Sequence, residues 1–125
     1  MRLAELLTDI GRPVAYYPTL CPLLGGATPT LLFCQLLYWL GKEAHASGEI
    51  YKTMEEITAE TGLIRSEQQT ARRALRKRGL LSERYARLDH RMYYCLHLDV
   101  LNALWEQAET QDVRMHDSAS PKARS

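Results

Sequence analysis

Thr53-Met54-Glu55-Glu56-Ile57, a break at Thr61-Gly62, then Ser66-Glu67-Gln68-Gln69-Thr70-Ala71-Arg72-Arg73-Ala74-Leu75-Arg76-Lys77-Arg78-Gly79 form the stretch on which the fold turns. Two runs of strand character follow, Leu80 to Ala86 and Arg91 to Leu98. Thr53 with Glu56, and Ser66 with Gln69, have the spacing of capping boxes, so each opens a helix. Gly62 and Gly79 stand where a left-handed residue ends a helix. The stretch predicts two short helices joined by a tight turn, then a hairpin.

That order is the pattern of a winged helix-turn-helix within an α+β fold that is mostly helical, with a small antiparallel sheet. The charge is concentrated on the same stretch. Residues 63–91 hold nine basic and three acidic groups, net +6, in a chain whose overall charge is only +1. A local basic field of this kind attracts polyanions, nucleic acid above all.

The flanks supply the rest of one domain, residues 1–107, which is long enough for a core of its own. Leu3, Leu6, Leu7 and Ile10 recur at helical spacing, and Gly11 and Pro13 stop that helix. Val14 to Tyr17 reads as a short strand or extended arm. Thr28 is placed to cap a helix with Pro29 at its first position, running to about Ala46. Its middle, Leu31 to Leu40, is apolar nearly all round and so is buried on more than one side, as the central helix or in a dimer interface. Glu49 to Lys52 reads as a strand that pairs with the hairpin. In the last strand Met92, Tyr94, Leu96 and Leu98 share the core face. Asp99 is placed to cap a final helix with Val100, Leu101, Leu104 and Trp105 on one stripe. Residues 108–125 are polar and aperiodic, and a disordered tail is expected there.

On the helix that starts at Ser66, Ala71, Ala74 and Leu75 form the core stripe. Ser66, Gln69, Arg73 and Arg76 lie opposite, flanked by Arg65, Arg72 and Lys77. Arginine reads guanine and glutamine reads adenine through paired hydrogen bonds, and base readers cluster toward the N-terminal end of such a helix. Ser66, Gln69, Arg72 and Arg73 are therefore the candidates for base edges. Arg65, Arg76 and Lys77 are the candidates for phosphates. Arg84, Arg87 and Arg91 flank the hairpin tip at Leu88-Asp89-His90 and are placed for backbone or minor-groove contact. The helix dipole accounts for cations in the last turn without any ligand, and Arg78, close to the core stripe, reads as structural.

Several short runs carry a family likeness: Tyr16-Tyr17-Pro18-Thr19-Leu20, Leu24-Gly25-Gly26, Leu36-Leu37-Tyr38-Trp39, Tyr51-Lys52-Thr53, Glu60-Thr61-Gly62-Leu63, Glu67 through Arg73, Gly79-Leu80-Leu81 and Tyr93-Tyr94. From Tyr16 to Leu104 the chain resembles winged-helix proteins of phages, plasmids and conjugative elements, including the N-terminal domain of phage replication-initiation proteins. The resemblance implies binding of double-stranded DNA in replication or transcription control. Initiators of that kind carry a further domain toward the helicase machinery, whereas only residues 108–125 follow the last expected helix. The alternative the resemblance implies is a small inhibitor of host defence, anti-CRISPR-like, using the same scaffold to bind a host protein or ribonucleoprotein.

The remaining chemistry is sparse. Leu24-Gly25-Gly26-Ala27 lacks the lysine and spacing of a phosphate loop. Cys95 and His97 share a strand face but need further partners to hold a metal. Glu55 and Glu56 diverge around their helix, and Ser66 has no base near it in sequence. A non-enzymatic protein without metal or cofactor is expected. Cys21, Cys34 and Cys95, odd in number and unpaired in spacing, fit reduced thiols, and Glu5 and Asp9 interrupt any signal-peptide core, so the cytoplasm is expected. The run Leu31 to Leu40 contains Gln35 and falls short of the roughly 18–20 residues of a membrane span. A homodimer is expected, with Trp39 and Trp105 as core or dimer aromatics.

Overall fold

A computed structural model of the chain describes residues 14–43, 48–88 and 91–118. The expected N-terminal helix and the hairpin tip at 89–90 lie outside the described residues. From Val14 the chain runs without strand pairing into a 3₁₀ turn, Pro18–Leu20, and then into one helical turn, α1, Cys21–Leu24. Gly25 ends α1 with a φ of +103°, and a Cβ there would stand 3.0 Å from the Arg78 guanidinium. The positive φ is what calls for glycine at this turn.

Helix α2, Ala27–Glu43, is the centre of the molecule. It begins before the expected cap. The Gly26 carbonyl accepts the Thr30 N–H at 3.2 Å and the Thr30 hydroxyl at 2.7 Å, leaving Thr28 and Pro29 inside the first turn. Leu32, Phe33, Cys34, Gln35 and Leu36 are buried in succession. α1, the helices of the 53–77 stretch and the sheet all pack on α2, and Leu31, Leu37, Trp39 and Leu40 are partly buried against the core. Burial of Leu32, Phe33 and Leu36 contributes roughly 1.5–3 kcal/mol apiece.

Helix α3, Met54–Thr61, opens with the expected capping box: the Glu56 N–H donates to Thr53 Oγ1 at 3.0 Å and the Thr53 N–H to Glu56 Oε1 at 2.7 Å. Gly62, at φ +79°, ends it. Near its C-terminal end Glu60 joins α3 to α2 and to strand β1, Ile50–Lys52. Its Oε1 accepts from Gln35 Nε2 at 3.0 Å and from the Trp39 indole N–H at 2.8 Å; its Oε2 accepts from Lys52 Nζ at 2.7 Å. The Lys52 ammonium also lies 3.8 Å from the centre of the Trp39 ring. Burial pushes the Glu60 carboxyl up, but the bonds from Lys52, Gln35 and Trp39 outweigh it and hold the group below its ordinary value. Trp39 is thus a core aromatic with a satisfied N–H.

Strands β2, Leu81–Ala86, and β3, Arg91–Leu96, complete an antiparallel sheet of order β1-β3-β2. Tyr94 stands opposite both Ile50 and Glu83, and Leu96 opposite Leu81. The two-residue period therefore puts Ile50, Lys52, Leu81, Glu83, Met92, Tyr94 and Leu96 on the inner face, and for Met92, Tyr94 and Leu96 this is the face expected from the alternation. Leu98 departs from that prediction: it is exposed and starts helix α5, Leu98–Ser118, so Asp99 sits in the first turn rather than at the cap. Val100, Leu101 and Leu104 pack on the core, whereas Trp105 is 42% exposed. The backbone of α5 is helical to Ser118, within the segment 108–125 expected as a tail. Good helix formers (Ala108, Glu109, Gln111) favour this, and the Thr110 hydroxyl donates to the Glu106 carbonyl at 3.0 Å. Residues 119–125 lie outside the described residues.

Among the described residues no single helix is long and apolar enough to cross a membrane. The segments Pro18–Leu24 and Ala27–Lys42 reach the length together, but they meet at 109°, and Leu24, Leu32, Phe33 and Leu36 face the protein's own core.

Candidate nucleic-acid interface

The geometry of this region starts at the turn between α3 and helix α4, Arg65–Lys77. The expected box of Ser66 and Gln69 does not form. Glu67 closes the helix start instead, accepting the Ile64 N–H at 3.0 Å, so the helix begins at Arg65 and Ser66 lies in its first turn. The turn itself is organised by Gln68, a residue only 1% exposed. Its side-chain N–H₂ lies 2.8 Å from Thr58 Oγ1, 2.9 Å from the Leu63 carbonyl and 3.2 Å from the Met54 carbonyl. Carbonyls only accept, so they dictate which way the amide points even though this leaves Gln68 Oε1 buried without a partner. Thr61 adds two bonds, donating to the Ile57 carbonyl at 2.7 Å and accepting the Leu63 N–H at 3.1 Å.

Burial of Gln68 changes the orientation of α4. With Ala71, Ala74 and Leu75 as the core stripe, Arg72 falls on the flank of the outer face. The side chains fully buried are Gln68, Ala71 and Leu75, while Ala74 is only half-buried. Exchanging Ala74 for Gln68 rotates the stripe by roughly 40° at about 100° per residue, toward Arg72.

Arg72, expected among the base-edge candidates on the outer side of the helix, instead turns inward: it is 9% exposed and faces Glu83 on the inner side of β2, with Nε 3.5 Å from Glu83 Oε2. Arg76 donates to the other oxygen of the same carboxylate. The two arginines, one helical turn apart, meet the one acid that strand alternation turns inward, which withdraws Arg72 from the candidate surface and ties Arg76 to its edge. Tyr94 lies beside this pair; burial pushes its hydroxyl above the usual tyrosine range, with Arg72 pulling the other way.

Arg84 is also committed elsewhere. It grips Glu49 with Nη2 at 2.9 Å and Nε at 3.3 Å, and its guanidinium lies 4.0 Å from the centre of the Tyr93 ring on the outer face of the sheet. Arg78 has the structural role expected of it, donating to the Ala74 carbonyl at 3.2 Å while covering Gly25. For Arg91 the backbone is described, paired with Ala86; its side chain lies outside the described residues.

What remains together on the outer face of α4 is Arg65, Ser66, Gln69, Arg73 and Lys77, all exposed. Arg65, Arg73 and Lys77 have no ion pair among the described residues. Arg87 is exposed where β2 leaves the sheet, beside the fully projecting Leu88.

A groove of about 510 Å³ separates the first half of α4 from the hairpin. Arg65, Gln69 and Glu55 line it, with Met54, Met92 and Tyr85 as its apolar walls and Arg72 and Glu83 beneath. Sequence reading passed over Gln68, Glu83 and Tyr85. The inward parity of Glu83 along β2 was a usable signal, because an acid on a core face requires cations. Tyr85, 53% exposed at the inner-face position opposite Met92, carried no signal of its own.

Trp105 does not join the core. It borders a shallow apolar depression with Tyr17, Leu20 and Leu101. Among the described residues no group of three metal-ligating side chains is brought together. Comparison of the chain with protein families, with characterised proteins and with solved structures finds no match.

Proposed function

We propose that this is a winged-helix protein that binds double-stranded DNA through the outer face of α4, with the β2–β3 hairpin as its wing. It works without catalysis in replication or transcription control of a mobile element. One observation carries the reading: Arg65, Arg73 and Lys77 stand exposed and free of ion pairs among the described residues, on the same helix face as Ser66 and Gln69. Where helix dipole and surface solvation alone set the pattern, cations gather in the last turn; here Arg65 opens the helix and Arg73 lies past its middle. The tight turn locked by Gln68 supports the reading by holding α3 and α4 as one rigid unit, and the α+β layout is compatible with it. Gln69 and Arg73 take the base edges, and Arg65, Lys77 and Arg87 the phosphates.

Selection from a random duplex library at near-physiological salt tests this. An enriched motif is the expected result. Binding with no enriched motif removes sequence reading and moves the function to the protein-inhibitor alternative, in which the same face meets a host protein or ribonucleoprotein.

A further inference from the structure

Leu88 is 97% exposed, whereas the other exposed large apolar side chains among the described residues range from 38% to 62%. Single surface leucines are ordinary, but each of those others keeps more than a third of its surface against the protein. Leu88 keeps almost none. It stands in the turn that follows β2, beyond the last ladder pair, Ala86 with Arg91. Turns draw glycine, asparagine, aspartate and serine, each for a backbone reason that leucine does not share. A leucine here forgoes burial and shapes no turn. Local choices of that kind, at odds with the fold's own rules, gather at functional positions.

The mounting of this side chain is stiff. Six pairs join β2 to β3, from Leu81 with Leu96 to Ala86 with Arg91, and they extend about 17 Å at roughly 3.4 Å per residue. The inner end of that ladder is held in the core, with Leu81 4% and Leu96 8% exposed. Arg87, exposed, stands beside Leu88. The groove along α4 has Arg65 and Gln69 on one wall and Tyr85, near the end of β2, on the other. The helix face and the wing therefore flank the same space.

We propose that Leu88 is a wedge that enters the minor groove beside the α4 site and parts one base step, kinking the duplex. Proteins that hold the minor groove combine cations with an apolar side chain, leucine among them, set between bases, and the bend is roughly 20–90° toward the major groove. Arg87 supplies the cation and Leu88 the wedge. The minor groove, about 6 Å wide, is too narrow for a helix but admits side chains from a turn. Pyrimidine–purine steps give way most readily, so the wedge adds a preference for such a step without a hydrogen bond to any base. The wedge rests on the duplex-binding reading and adds to it that the bound site is bent.

The test uses the full chain and a duplex of about 30 base pairs, with a dye at each end for energy transfer and 2-aminopurine at TA steps spaced along it. 2-Aminopurine brightens when its stack opens. The parent is expected to bring the ends closer, by a bend of roughly 20–90°, and to brighten the probe. Leu88→Ser is expected to leave the bound duplex straight and the probe dark. Its melting point and the salt slope of its binding should stay those of the parent, because Leu88 touches almost nothing in the fold and displaces no counterion. Leu88→Met is expected to keep the bend, since methionine is also found as such a wedge. Duplex binding by the parent with neither bend nor brightening overturns the wedge and spares the DNA reading. A bend that survives Leu88→Ser also overturns the wedge and assigns the bending to the α4 face. Absence of duplex binding by the parent overturns both.

Discussion

Replacing Arg72 by alanine separates the two roles open to this residue. If it faced a DNA groove, its loss would cost sequence preference and leave stability alone. The structure requires the opposite. Arg72 and Glu83 each have about a tenth of their side-chain surface exposed, at 11% and 10%, so the pair is largely desolvated. Removing one partner of a buried pair costs roughly 3–5 kcal/mol, because the other charge stays buried. Glu83 would keep Arg76, which is half in solvent and holds the other carboxylate oxygen. The remaining loss is about 2–3 kcal/mol. In a domain of this size that lowers the melting midpoint by roughly 10 °C. Circular dichroism of thermal and urea unfolding measures it, and duplex binding assayed well below the midpoint should keep its sequence preference. Arg72→Met combined with Glu83→Leu should recover most of the stability, since apolar groups of similar volume replace buried pairs at little cost. An Arg72→Ala protein that melts with the parent while losing preference at one base pair would refute the placement of this side chain and restore it as a reader.

Three further outcomes follow from the same geometry. Gln68→Ala removes the bonds to Thr58, Leu63 and Met54 and should cost about 1–3 kcal/mol, read as a lower urea midpoint with unchanged slope; a neutral result would mean the turn is held without it. Glu60→Ala strands the buried Lys52 ammonium and should cost about 2–3 kcal/mol at neutral pH. Because the folded carboxyl sits below its ordinary 4.5, that contribution is complete above pH 4.5 and fades as pH falls through the lower folded value, so denaturant midpoints of parent and variant should converge in acid; a gap that widens there would contradict the ion-pair cluster. Arg73→Ala with Lys77→Ala touches no ion pair among the described residues, so it should leave the melting point in place while lowering the logarithmic salt slope of duplex binding by about 1 per lost phosphate contact; an unchanged slope would mean that this face does not meet the backbone.

The local signals of this chain were strong enough to be read without coordinates. Thr53 and Glu56 closed their capping box, Gly62 and Gly79 took left-handed φ at the helix ends, and strand parity put Tyr94 and Leu96 inside. Each depends on residues within a few positions of one another, where backbone geometry leaves little choice. The apolar girth of Leu31–Leu40 announced a buried helix but not what would bury it. The candidate face was legible only in part, because its outline depended on which polar residues went inside. Gln68 is polar by composition and core by position, made so by three acceptors from α3 and the turn, and its burial rotates α4 enough to turn Arg72 inward. Glu83 and Glu49 then draw Arg72, Arg76 and Arg84 into pairs formed across 7 to 35 residues of chain. Whether an arginine is free to meet a ligand or already spent on an acid is settled by distances between elements, and sequence spacing carries no record of those.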